Sequence, residues 1–232
     1  MMGRTTVSVL VGVAALSCCV PGCASAVAVF DRIVATVNGH VILQSEWDEE
    51  LGYEAVLTGR HLSGLTTDER KAVLDRLIDQ ELLGEQMATA IFSRASEQEA
   101  AARISEARHQ SLAGTDENSW SLALAAFRIT EKDLLAHVQR QMNLARLVDA
   151  RLRPAVQIDA KSVEAYYREK FVPELKQAGS AEAALASVSD RIRDLLTEQK
   201  VNELLVSWLR TLRSEGEVNV RGRTSEAEQE TR

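Results

Sequence analysis

Cysteine is confined to the first 23 residues, as Cys18, Cys19 and Cys23. If that segment is removed, the rest of the chain can build no disulfide framework, thiolate zinc site or thiol nucleophile. There is no surplus of basic charge either: 27 Lys and Arg face 34 Asp and Glu, a net −7. An acidic chain without a basic stripe is a poor partner for nucleic acid, whose binding is dominated by phosphate contacts. The same charge is the wrong sign for an anionic membrane surface. No apolar run is long enough to span a bilayer of about 30 Å. Gly-x-Ser-x-Gly, Walker and dinucleotide fingerprints are missing, so nothing calls for a cofactor. The four histidines, His40, His61, His109 and His137, do not fall at metal-ligand spacing.

What is present begins with a leader. Arg4 precedes an apolar run from Val7 to Leu16, followed by small residues up to Ala24-Ser25-Ala26. This is the layout of a secretory signal peptide over residues 1–26, cleaved after Ala26. Removing it takes away one basic and no acidic residue, leaving a net −8. Val20-Pro21-Gly22-Cys23 loosely matches a lipobox, which would instead leave a lipidated Cys23. Pro21 weighs against that route.

Next comes a hairpin signal. Ile33–Val37 and His40–Leu43 are rich in β-branched residues, and Asn38-Gly39 supplies the two positive-φ positions of a tight turn. A lone hairpin is marginal in water. The third strand is expected at Glu217–Arg221, which would bring the two ends of the mature chain together. The residues between them read as helices. Ser45 with Asp48 is expected to cap the first. Thr66 with Glu69 opens a long amphipathic run carrying Leu74, Ile78 and Leu82, ending near Phe92. Ser96 with Glu99 starts the next, and Gly114 breaks it. Asp116 opens a short helix with Trp120, Leu124 and Phe127. Thr130 with Asp133 caps a helix that ends before Pro154, and Asp159 starts one stopped by Pro173. Residues 173–186 read as a linker, the last helix runs to Gly216, and the tail 222–232 is polar enough to be disordered. The fold class expected is mainly α, with six or seven helices and a small antiparallel sheet.

The order of these elements resembles a known family. Asp31 to Glu46, with its aspartate-led strand, Val37-Asn38 turn and second apolar strand, is similar to the opening of the SurA N-terminal domain. Leu74 to Leu83, Ile129 to Met142 and Ile158 to Tyr167 resemble its later segments. In that family a parvulin-type prolyl-isomerase domain usually follows the last of these. Here only residues 172–186 precede a helix and strand, 187–221, that resemble the segment returning to complete the family's core. The resemblance implies a periplasmic chaperone without its isomerase. Such a protein would hold unfolded secreted or outer-membrane proteins in an apolar groove, without ATP or a cofactor. Met87, Trp120, Phe127 and Met142 are the candidate groove-lining residues, against the competing reading that an apolar stripe in a helix bundle is core. Two other functions stay open: a module binding one folded envelope partner, and prolyl isomerisation through an unrecognised site. The oligomeric state is not readable from the sequence.

Overall fold

Asn38 and Gly39 turn the chain back with φ of 49° and 84°, as a type I′ turn requires. The computed structural model describes residues 31–59, 62–110, 117–179 and 184–221. Residues 1–26 with Cys23, His61, Gly114, Asp116 and residues 222–232 lie outside them. The turn joins β1 (Ile33–Val37) to β2 (His40–Leu43), and β3 (Val218–Val220) pairs with the other side of β1. The sheet order is β2-β1-β3, antiparallel throughout, with Thr36 opposite both Val41 and Asn219. The third strand is therefore where the sequence predicted it.

Strict alternation would send Val34 and Ala35 to opposite faces, yet both are buried. A bulge between Ile33 and Ala35 admits the extra residue. Asn38 does more than turn. Its backbone N–H donates to Glu217 O (2.9 Å), its Oδ1 accepts from Glu217 N–H (2.8 Å), and its Nδ2 donates to Glu85 Oε2 (2.7 Å). One side chain thus ties the hairpin to the long second helix and to the start of β3.

Eight α-helical segments lie among the described residues: α1 (Gln44–Thr58), α2 (Thr67–Met87), α3 (Glu97–Gln110), α4 (Glu117–Ala126), α5 (Glu131–Leu152), α6 (Ala160–Tyr166), α7 (Val172–Gln177) and α8 (Leu185–Glu215). The capping boxes at Thr66/Glu69 and Thr130/Asp133 form as expected, and Ser96 and Glu99 exchange the same two bonds. Ser45 does not cap α1. Leu43 is the N-cap residue, its N–H held by Glu46 Oε2 at 2.7 Å, while Ser45 bonds to Asp31. That bond holds the Asp31 carboxyl below the usual carboxylate range. α2 stops at Met87 rather than near Phe92. Residues beyond it form a strap pinned to α5, with Ala95 N–H on Asn143 Oδ1 and Gln139 Nε2 on Ala95 O, both 2.8 Å.

Pro173 does not stop its helix. α6 runs into a wide π turn, Tyr167–Phe171, and then into α7, with Val172 N–H reaching Tyr167 O. The widened turn makes room for a ring that would otherwise clash with the preceding carbonyl. Of the expected linker 173–186, residues 173–177 are therefore helical, and α8 begins at Leu185.

The core has three parts. Val34, Ala35, Val37 and Ile42 of the sheet pack on Leu74, Ile78 and Leu82 of α2. Tyr53, Val56, Ala100, Trp120, Leu124, Leu134 and Val138 join α1, α3, α4 and α5. Leu83, Leu144 and Leu147 meet the C-terminal half of α8 through Leu205, Trp208 and Leu209. Gly52 permits the close approach of α1 to the turn after α4: a Cβ there would lie 3.0 Å from Phe127 Cβ and 3.2 Å from Ile129 Cδ1.

α8 carries two apolar stripes. Val201, Leu204, Leu205, Trp208 and Leu212 share one side. Val188, Ile192, Leu195 and Leu196 fall nearly opposite at 3.6 residues per turn. The first stripe packs on α2 and α5, and α6 is the other main partner of α8. Polar bonds fasten α8 to the body. Arg213 Nε donates to Asp79 Oδ1 at 2.7 Å, the Arg151 guanidinium lies 4.5 Å over the Trp208 ring, and Arg153 pairs with Glu198.

Candidate functional site

Four elements enclose a cleft of about 440 Å³: β2 gives His40 and Ile42, α1 gives Glu46, Glu49, Glu50 and Tyr53, α2 gives Leu77 and Glu81, and α5 gives Asp133, His137 and Arg140. Five of these residues are carboxylates, and Ile42, Tyr53 and Leu77 contribute apolar lining. Within this lining His137 Nδ1 lies 3.5 Å from Glu50 Oε2, each side chain 12% exposed. The imidazole stacks on the Tyr53 ring, 4.0 Å between centroids and 14° between planes. Gln80 Nε2 donates to Glu50 Oε1 at 3.3 Å.

Burial sets the charge states here. It raises the Glu50 carboxyl above its ordinary range, against weaker opposition from Gln80 and Arg76. It lowers His137 to about 4, with the Arg140 cation acting in the same direction. The pair therefore favours the neutral imidazole. Tyr53 donates to Glu49 Oε1 at 2.5 Å, and burial with that bond raises its phenol, so Tyr53 stays a donor. This is a structural polar cluster that locks α1 against α5. Among the described residues no group of three His, Cys, Asp or Glu side chains is arranged to hold a metal.

The four residues expected to line a groove are split between two cores. Trp120 is 2% exposed, inside the α1–α3–α4–α5 cluster, with the Arg108 guanidinium 5.6 Å over its ring. Phe127 and Met142 are half-buried against that same cluster. Phe127 also borders a shallow hollow with Leu51, Leu62 and Arg70. Met87 belongs elsewhere, half-buried beside Leu83 and Leu147. The structure brings three of the four together and leaves Met87 apart.

The apolar surface that the sequence reading passed over lies further along the chain. Of the large apolar side chains on α6, α7 and the N-terminal half of α8, only Val163 and Ile192 are buried. Tyr167 and Phe171 stack at 5.9 Å across the π turn and remain half-buried. Leu195 is 41% exposed. The signal was present in the sequence: the apolar period of the last helix changes phase between Leu196 and Val201.

The comparison with known families agrees with this architecture. The family model described as the SurA-like N-terminal domain matches residues 2–148. The chain belongs to that family. The SurA-like match covers residues 2–26, the hairpin and α1 to the last turn of α5, and α6 to β3 lie beyond it. No curated protein matches the chain. SurA-like N-terminal domains are chaperone-type modules that bind other proteins. No helix among the described residues is long and apolar enough to cross a membrane. Only residues 178–184 separate α7 from α8, too few for an inserted domain at that point, since domains need about 50 residues or more.

Proposed function

We propose that the chain is an ATP-independent holdase of the bacterial periplasm. It is exported by residues 1–26 and keeps unfolded secreted or outer-membrane proteins from aggregating. The SurA-like match over most of the chain carries this reading. Two features of the fold support it. α8 and β3 return so that β3 adds the third strand beside β1. Half-exposed aromatic and aliphatic side chains remain on α6–α8, as a protein that must grip unfolded chains loosely requires.

The test is dilution of a urea-unfolded outer-membrane β-barrel protein into buffer, followed by light scattering. Suppression near an equimolar ratio, without nucleotide, is the expected result. Unchanged scattering in the presence of folded protein overturns the holdase reading. The remaining role would then be that of a module for a single folded partner.

A further inference from the structure

We propose that Asn38 is a site of spontaneous deamidation, and that its conversion to aspartate or isoaspartate unfastens β3 and the end of α8 from the hairpin and α2. The proposal does not depend on the holdase reading, and its test involves no client.

Sequence and exposure set the chemistry. Of the five asparagines, Asn38, Asn118, Asn143, Asn202 and Asn219, only Asn38 precedes a glycine. A β-carbon on the following residue shields that residue's backbone nitrogen, and glycine has none. Asn38 and Gly39 are both exposed. A Cβ built on Gly39 would meet nothing within 4 Å, so water and base reach the site. In the reaction the Gly39 nitrogen loses its proton to hydroxide and attacks Asn38 Cγ. The new N–C bond closes a succinimide, the Cγ–Nδ2 bond breaks, and Nδ2 leaves as ammonia with a proton from water. Water then opens the ring at Cγ to give aspartate, or at the main-chain carbonyl to give isoaspartate. One water is consumed and one ammonia released, with no change of oxidation state.

The fold decides what that change does. Asn38 Oδ1 accepts from Glu217 N–H at 2.8 Å, and Nδ2 donates to Glu85 Oε2 at 2.7 Å. Closing the ring withdraws the amide from both partners, so the clamp and the reaction compete for one group. Local opening at this point is what releases the chemistry. In aspartate an oxygen stands where Nδ2 stood and meets the Glu85 carboxylate as a second negative charge. Glu85 is exposed and turns to water, so its bond is lost rather than strained. Isoaspartate goes further, because it adds a main-chain atom to a two-residue turn. That atom displaces the Val37–His40 pair and the bond from Asn38 N–H to Glu217 O, 2.9 Å in the intact chain. β3 is three residues long and pairs with β1 through Val218, Asn219 and Val220. The clamp at its start is therefore a large share of what holds it. A copy that opens there converts, and does not reclose in the same way.

The experiment incubates the full mature chain at mildly alkaline pH, folded or in urea, and follows the mass gain at each asparagine by peptide mapping. Conversion at Asn38 should outrun the other four in both states, and should be about tenfold slower in the folded chain. The converted fraction is separated from the parent by anion exchange through its added negative charge. Its Glu217 and Arg221 amide protons should exchange about tenfold faster than the parent's, with those of α5 unchanged. Asn38→Asp should reproduce this loosening. Adding Glu85→Gln, which supplies a donor to the new carboxylate, should recover most of the loss. Gly39→Ala, compared in urea where its backbone conformation no longer matters, should convert more slowly than the parent. Faster conversion at another asparagine, or none at Asn38 in the folded chain while the unfolded chain converts, overturns the site. Equal rates in the folded and unfolded chains overturn the competition with the clamp. Parent-like exchange in the converted fraction overturns the unfastening.

Discussion

The body formed by the sheet and α1–α5 and the arm formed by α6, α7 and the N-terminal half of α8 are built from similar helices but held by different means. In the body, α2 and α5 begin at closed capping boxes, and residues such as Ile78 of α2 and Ala35 of β1 are buried at 0% exposure. In the arm, only Val163 and Ile192 reach burial, and the helix crosses a proline through a widened turn. The body is acidic, with 13 basic against 20 acidic side chains over residues 31–152, and the arm is balanced, with seven of each over residues 160–200. Helical propensity is therefore not what separates a scaffold from a contact surface in this molecule. The number of layers covering each apolar stripe is what separates them.

The sharpest way to break this contrast is to open a cavity on each side. Ile78→Ala should cost about 2–5 kcal/mol, measured by urea unfolding, because its site between sheet and α2 is fully enclosed. Ile192→Ala should cost less, because half-covered neighbours can collapse around it. Equal losses would show that the arm is as tightly packed as the body.

Acidification should strain the body next. His137 has a folded value of about 4 against an ordinary 6.5, so its contribution is present above pH 6.5 and lost as pH falls toward 4. Glu50 is shifted upward and works against this, favouring the fold when protonated and losing that contribution as pH rises. The thermal midpoint should fall between pH 6.5 and 4 through the imidazole, with Glu50 acting against it. His137→Gln should flatten that slope. An imidazole resonance of His137 titrating near 6.5 would refute the assignment.

A smaller effect should come from crowding. Gly52→Ala places a methyl 3.0 Å from Phe127 Cβ and should cost about 1–3 kcal/mol by the same unfolding assay. Smallest of all is the fastening between body and arm. Glu198 is exposed, so Glu198→Gln should change stability by less than about 1 kcal/mol. Its signature should instead be faster amide exchange in α6 and the N-terminal half of α8 than in α2. Uniform exchange across both would erase the distinction between the two regions.

Much of the fold was legible because its signals are local. Asn38-Gly39 names its own turn, Thr66 with Glu69 and Thr130 with Asp133 name their helix starts, and β-branched residues near Val218 mark the third strand. Ser45 misled because Asp31, 14 residues earlier, takes its hydroxyl. Pro173 misled because the clash it causes can be absorbed by one extra residue in the preceding turn. The candidate site was harder to place. Trp120 and Phe127 carry the same apolar signature whether they line a groove or fill a core, and only the packing of α1, α3 and α5 around Trp120 separates the two.

The sequence by itself determined the order and type of the elements, the acidic body beside a balanced arm, and membership in the SurA-like family, because each follows from neighbouring residues or overall composition. Tertiary structure alone decided that Asn38 would clamp Glu217 and Glu85, that Glu50 and His137 would share one buried pocket, and that one stripe of α8 would be covered while its opposite stayed half open. Those outcomes depend on which surfaces meet across 40 to 180 residues of chain, and no local pattern records that.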